Sequence, residues 1–177
     1  MIALVSDSHV PNRAPEIPPE ITERLNNAEK VVHAGDFASE ETYQELDSGY
    51  SLTAVKGNCD FFDLPVSRTF EVSGIKFGVY HGTGISPRGD HETLVDIAKN
   101  KLEVDVLIHG HTHQEEAVEV EGIVLLNPGS CTGVGGGSAR RSDATMMEID
   151  VHGYELHTKL LTLDKGFEVE EKTFEIP

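Results

Sequence analysis

Ile2-Ala3-Leu4-Val5-Ser6-Asp7-Ser8-His9 opens the chain with four apolar residues that break off into a polar run carrying a carboxylate and an imidazole. A short apolar run bounded this way reads as a buried strand that delivers Asp7 and His9 at its C-terminal end. The same event recurs downstream. Val31-Val32-His33-Ala34 ends at Gly35-Asp36, and a third strand over Thr53 to Lys56 ends at Gly57-Asn58-Cys59-Asp60. Between the strands, Pro18-Pro19 opens a helix reaching Asn27, since proline is well tolerated in a first turn. Ser39 caps a second helix whose first turn carries Glu40 and Glu41. Strand, helix, strand, helix, strand predicts a parallel α/β unit.

The second half changes character. Arg68 to Val72 and Lys76 to Tyr80 flank Ser73-Gly74-Ile75 and predict a hairpin. A helix follows from His91 to Lys101, with Leu94, Ile97, Ala98 and Leu102 on one face. Val104 to Ile108 is a further apolar strand, ending in His109-Gly110-His111-Thr112-His113. Two more hairpins turn at Glu121-Gly122 and His152-Gly153. Phe167 to Ile176 alternates apolar and acidic residues like a strand with one wet face. The flexible candidate is the loop Gly133 to Ser138.

In parallel α/β sheets, sites form at the carboxyl edge of the strands, so these strand ends are expected to converge while distant in sequence. Carboxylate oxygen, imidazole nitrogen and amide oxygen suit borderline divalent ions such as manganese, iron, nickel or zinc. A spacing of two along an extended segment puts both side chains on one side, pairing Asp7 with His9 and His111 with His113. Each short motif is weak alone, and five in order after apolar strands are specific. His33 and His109 read as supporting or core histidines. Asp60 reads as orienting the Gly57–Cys59 turn, Asn127-Pro128-Gly129-Ser130 as a structural strand exit, and Arg140-Arg141 as a surface basic pair with an open option on phosphate.

The ordered set resembles that of the calcineurin-like metallophosphoesterases, most closely their small single-domain phosphodiesterase branch, which includes a retromer subunit of the same fold. That branch has the Gly-Asn-Cys-Asp form of residues 57–60 and the Asn-Pro-Gly-Ser form of 127–130. The resemblance covers nearly the whole chain as one domain, 1–177. It implies an α/β fold, a four-layer α/β/β/α sandwich of two mixed β-sheets flanked by helices. It further implies two divalent metal ions, manganese as the expected pair with nickel, zinc or iron as alternatives. By the same resemblance Asp7, His9 and His113 hold the first ion, Asn58, His81 and His111 hold the second, and Asp36 bridges both. Hydroxide generated between the ions attacks phosphorus, with Asn58, Cys59 and Asp60 as the catalytic group around the leaving oxygen. Larger relatives carry histidine where this chain has Cys59, a weak donor. That departure favours diesters with good leaving groups, or an acid supplied elsewhere. The rival within the same fold is an interaction scaffold of little activity, and a second enzyme reading is a phosphomonoesterase.

Length and charge narrow the class. The 177 residues fit one domain, and 38% hydrophobic residues with 17 glycines are ordinary for a globular chain. Lys+Arg number 14 against 31 Asp+Glu, a net charge of −17. Such a surface repels nucleic-acid backbones and anionic lipid, which disfavours long nucleic acid and membrane as partners and leaves a small phosphodiester as substrate. It also suits a salt-rich cytoplasm, where screening relieves self-repulsion. Two cysteines exclude a disulfide scaffold. The location expected is cytoplasmic, and exposed hairpin edges favour a homo-oligomer.

Overall fold

The computed structural model describes residues 1–137 and 140–176, so Ser138, at the end of the loop expected to be flexible, lies outside the described residues. In chain order the elements are β1 (Ile2–Val5), α1 (Pro19–Asn26), β2 (Lys30–His33), α2 (Glu40–Gly49), β3 (Leu52–Ala54), β4 (Ser67–Val72), β5 (Ile75–Tyr80), α3 (His91–Asp96), β6 (Val106–Ile108), β7 (Glu116–Val120), β8 (Ile123–Asn127), β9 (Ala144–His152), β10 (Glu155–Leu163) and β11 (Phe167–Glu175). One sheet has the order β11-β10-β9-β1-β2-β3 and the other β4-β5-β6-β8-β7. Both are mixed. β1, β2 and β3 run parallel, as do β5, β6 and β8, while the hairpin partners pair antiparallel.

Alternation along the strands builds the layers, because successive side chains leave a strand on opposite faces. Ile2 and Leu4 pack with Phe77, Val79, Val106, Ile108, Val124 and Leu126 between the two sheets. Ala3, Val5 and Val31 face the other way, onto Ile21 and Leu25 of α1 and Leu46 of α2. Leu107 and Leu125 turn outward from the second sheet onto Leu94, Val95 and Ala98. The result is the four-layer α/β/β/α sandwich. Ser39 caps α2 by accepting from the Thr42 N–H at 3.1 Å, as its sequence position implies.

Four elements differ from their expected form, and one of them, β6, begins at Val106 instead of Val104 because the Val104 N–H is taken by the Ala98 carbonyl. The helix expected to run to Lys101 is α-helical only to Asp96, and Ile97–Leu102 forms a wider π-helical turn. Glu103, in the left-handed region at φ 54°, ends it, with its N–H and that of Val104 both reaching the Ala98 carbonyl. The third strand is shifted, Leu52–Ala54 instead of Thr53–Lys56. Pairing sets this boundary: Val31 aligns with Leu52, and beyond Val55 the Lys56 N–H turns away to the Pro65 carbonyl. β11 is exposed along nearly its whole length, on both faces, with only Phe167 and Phe174 half-buried within it. It is the sheet's edge strand, so Glu168, Glu170, Glu171 and Glu175 are solvated as expected while Val169 is exposed as well. Among the described residues, no helix is long and apolar enough to cross a membrane.

Candidate metal centre

Asp7 and His9 follow β1, Asp36 follows β2, His81 follows β5, and His111 and His113 follow β6, so both sheets deliver side chains to one rim of the sandwich. Asp7, His9, Asp36 and His113 bring ligand atoms within 4.8 Å of one another, and so do Asp36, His81 and His111. All six residues are buried, and Asp36 belongs to both groups. The reason is not an extended backbone. Asp7, His9, Asp36, His111 and His113 all sit in the left-handed region, at φ 52°, 48°, 62°, 69° and 60°. Two such kinks aim Asp7 and His9 at the same group, whereas His111 and His113, expected to share one side, point into different groups. Left-handed non-glycine residues cost energy and cluster where function over-determines the backbone.

The hydrogen-bond pattern tests whether cations fit. His113 Nδ1 donates to the Val134 carbonyl at 2.6 Å, and His81 Nδ1 donates to the Ala34 carbonyl at 2.7 Å. A carbonyl only accepts, so Nδ1 carries the proton and Nε2 of the neutral ring presents a lone pair, as metal-bound imidazoles do. These lone pairs face anions and each other: His81 Nε2 is 3.4 Å from Asp36 Oδ2, His113 Nε2 is 3.2 Å from Asp7 Oδ1, and His9 Nε2 is 3.3 Å from His113 Nε2. Asp7 Oδ1 and His81 Nε2 are buried without an aligned hydrogen-bond partner. Converging lone pairs and carboxylates repel unless a proton or cation lies among them, so the donor set fits divalent ions. Without them, burial opposes charge on Asp36 and His81, but their mutual attraction outweighs it. Asp36 is held well below the usual carboxylate range and His81 is raised to about 9. Burial holds His9 and His111 below the ordinary imidazole range.

Supporting residues fix this geometry. Ser6 Oγ and the His111 N–H donate to Asp7 Oδ2 at 2.7 and 3.1 Å, and the Cys59 N–H donates to Asp36 Oδ1 at 2.7 Å. Gly57 and Gly110 are required: a methyl group on Gly57 would collide with Asp36 Oδ1, and one on Gly110 with Ser6 Oγ. Ser130 Oγ donates to the Asp7 carbonyl at 2.8 Å, and Asn127 Nδ2 bridges the Gly110 carbonyl and Thr112 Oγ1, which makes the Asn127–Ser130 segment a scaffold for the centre. His33 stacks on Phe37 with ring centroids 3.6 Å apart, accepts from the Gly35 N–H, and is kept neutral by burial, its pKa lowered to about 3. His109 is likewise buried and neutral, lowered to about 4 by burial.

The residues expected around the leaving oxygen separate. Asp60 is buried, and its carboxylate accepts the N–H groups of Asp36, Ala38 and Gly57 at 3.0, 3.0 and 2.8 Å. It clamps the β2 and β3 loops together instead of facing the centre. Its position three residues after Gly57, where a carboxylate can reach back to loop amides, was the available signal. Cys59 is partly exposed, and burial followed by the Asp36 charge pushes its thiol up to about 12, so it remains a neutral weak donor. Asn58 is exposed, with its amide nitrogen 3.3 Å from Cys59 Sγ. Arg141 donates to the Thr132 carbonyl at 3.1 Å, on the scaffold side of the centre.

Two donor groups that share one carboxylate are an arrangement that a pair of divalent ions would fit. The domain model of the calcineurin-like phosphoesterase superfamily matches residues 1–153. A probable metallophosphoesterase of Methanothermobacter thermautotrophicus is 37% identical over 164 residues, which cover 91% of each chain. Among solved structures, the zinc complex of wild-type Vps29 from Entamoeba histolytica superposes with a TM-score of 0.85 at 32% identity, covering 99% of both chains. A structure described as a novel archaeal phosphodiesterase superposes at 0.63 with 25% identity, over 98% of this chain and 99% of that one. The chain belongs to the calcineurin-like phosphoesterase superfamily.

Proposed function

We propose that the protein is a di-metal phosphodiesterase acting on small phosphodiesters, with manganese as its working ion. The observation that carries this reading is the pair of rings, His81 and His113, whose Nδ1 protons are tied to carbonyls and whose Nε2 atoms face Asp36 and Asp7. In the reading, Asp7, His9 and His113 hold one ion, His81, His111 and the Asn58 amide oxygen hold the other, and Asp36 lies between. Two such ions supply Lewis-acid charge and a water acidified enough to attack phosphorus at neutral pH. The chain's own residues do the rest. Ser6, the Cys59 amide and the Asp60 clamp lock both carboxylates in place, and the left-handed turns keep the six donors preorganised. Cys59, a neutral thiol, gives little help to a departing alkoxide, which supports substrates with good leaving groups.

Charge supports a small substrate. Two carboxylates offset only half the charge of two divalent ions, so the centre is positive inside a chain of net charge −17. Long nucleic acid would have to lie along the acidic surface. Two free cysteines support a reducing, cytoplasmic setting, and the exposed edge strand β11 supports self-association. The likeness to Vps29 favours one rival, an interaction protein that keeps the metal centre without turnover.

The deciding experiment measures hydrolysis of bis(p-nitrophenyl) phosphate and of p-nitrophenyl phosphate by the full chain loaded with manganese, nickel or zinc. Metal-dependent turnover with preference for the diester is expected. Preference for the monoester would make it a phosphomonoesterase. No turnover of either ester, with metal bound, would leave the interaction reading.

A further inference from the structure

At one end of each sheet stands a strand with an unpaired side, β11 in the first and β7 in the second. These two edges face each other across one side of the sandwich. Lys172 of β11 spans the gap, its ammonium donating to the Ala117 carbonyl of β7 at 3.1 Å. Two cavities follow one another along that gap. One, of about 400 Å³, lies between residues 115–118 and Thr158, Leu160, Glu170 and Lys172. The next, of about 800 Å³, lies between Glu119 and the far end of β11, where Glu175, Ile176 and Tyr154 line it.

Main-chain groups on both edges are open to a new strand. In an antiparallel ladder, residues turn their N–H and C=O alternately toward the partner strand and away from it. The Ala117 carbonyl, free to take Lys172, is turned away from β8, and Glu119 shares its orientation. On β11 the Ile176 N–H donates to the Tyr154 carbonyl at 2.7 Å, so the outward groups belong to Val169, Glu171, Thr173 and Glu175. All four residues are exposed. The side chains around the gap are one-sided in charge. Glu115, Glu116, Glu119, Glu155, Glu170 and Glu175 line the two cavities, against one lysine and His152. Glu116, Glu155 and Glu170 have ion-pair partners in His91, His157 and Lys172, whereas Glu115, Glu119 and Glu175 have none among the described residues. Lys172 shows what such a place holds, its ammonium lying 3.1 Å from Glu170 Oε1 as well as from the Ala117 carbonyl. Tyr154, 75% exposed, adds an aromatic face at the larger cavity on which a cation can rest.

We propose that the facing edges of β7 and β11 form a docking groove for an extended, lysine- or arginine-bearing segment of a partner protein, which adds a strand to β11 and sets alternate basic side chains among the glutamates. Strand addition supplies the main-chain hydrogen bonds, and the alternate side chains supply the selection. Residues 170 to 176 span about 20 Å at about 3.3 Å per residue, so six or seven residues of the partner fill the groove. The groove takes no donor from the metal centre, and its occupancy is independent of turnover there.

The test follows, by fluorescence anisotropy at about 0.1 M salt, a labelled octapeptide of alternating lysine and valine added to the full chain. Binding is expected, and Glu119→Gln and Glu170→Gln are each expected to weaken it about two- to fivefold, the worth of an exposed ion pair. Lys172→Ala, which vacates the Ala117 carbonyl and Glu170, is expected to tighten it by a similar factor. Glu23→Gln on α1, Glu40→Gln on α2 and Lys56→Ala beyond β3 change the net charge by the same amounts and are expected to leave it unchanged. A peptide with two prolines inserted at its centre keeps every charge but breaks the ladder in either register, and is expected to bind about tenfold more weakly. In hydrogen exchange, the octapeptide is expected to slow the amides of Val169, Glu171, Thr173 and Glu175 and not those of β3, the opposite edge of that sheet. Melting temperature is read for every variant, so that a misfolded one is not counted. The groove is overturned if the octapeptide does not bind, if Glu23→Gln and Glu40→Gln weaken it as much as Glu119→Gln and Glu170→Gln, or if the proline-interrupted peptide binds equally well. A dimer whose β11 amides are already protected and which the octapeptide leaves unchanged overturns it too, since a second copy then holds the edge.

Discussion

His81 Nε2 lies 3.4 Å from Asp36 Oδ2, and these two residues come from different sheets: His81 follows β5 and Asp36 follows β2. Asp36 also stands 3.5 Å from His9 Nε2, which makes it the member common to both donor groups. Asp36→Asn is therefore expected to reduce the bound metal from two ions per chain and to lower turnover by at least about a hundredfold. Elemental analysis and the diester assay check this, and full activity in the variant would remove Asp36 from its bridging role.

Asp60 predicts a different phenotype. Its carboxylate accepts three backbone N–H groups from two loops, so Asp60→Ala leaves buried donors without partners. A loss of about 3 kcal/mol or more in unfolding free energy is expected, from about 1–3 kcal/mol per orphaned group. Urea denaturation of the metal-free protein measures it, and a variant as stable as wild type would show that the clamp does no work.

His33 links stability to pH. Its folded-state pKa is lowered to about 3 by burial, against about 6.5 in an unfolded chain. Below pH 6.5 the unfolded chain binds a proton that the folded one refuses, so stability falls as pH drops from 6.5 toward 3. At pH 5 the loss attributable to this residue is about 2 kcal/mol. His33→Gln keeps a hydrogen-bonding side chain but does not titrate. Between pH 7 and pH 5 the variant is expected to lose about 2 kcal/mol less than wild type, and equal losses would exclude His33 as the linked group.

Cys59 gives a prediction about leaving groups. Its thiol is neutral and a weak donor, so replacing it by a stronger proton donor changes only reactions that need one. Cys59→His is expected to raise turnover of alkyl diesters by about tenfold or more while leaving the p-nitrophenyl diester nearly unchanged. A uniform change across both substrates would place residue 59 outside leaving-group chemistry.

Much of this was legible in the residues. Ile2 and Leu4 against Ala3 and Val5 already describe a strand buried on both faces, and the polar breaks after each apolar run mark the rim where the donors gather. What the pattern does not carry is backbone handedness. Nothing local announces that Asp7, His9, His111 and His113 leave the extended conformation, because the contacts that hold them there, such as Ser130 on the Asp7 carbonyl, join residues more than a hundred positions apart. The wide turn at Ile97–Leu102 was hidden for the same reason, since its apolar face is equally compatible with an ordinary helix. Asp60's hold on the Gly57 N–H follows from its place three residues on, but its reach to Asp36 and Ala38, which turns it away from the catalytic group expected around the leaving oxygen, depends on two loops meeting in space.

The donors' origin in both sheets has a mechanical consequence. Between the sheets the seam is closed by apolar side chains such as Leu4, Val32, Phe77 and Ile108, whose contact is continuous and directionless. At the rim the same seam is bordered by Asp7, His9 and Asp36 from one leaf and His81, His111 and His113 from the other. Ions held there would act as rivets across two leaves, so chelation would free that edge first, and amide exchange in the loops after β1, β2, β5 and β6 is expected to quicken while the seam's interior stays closed.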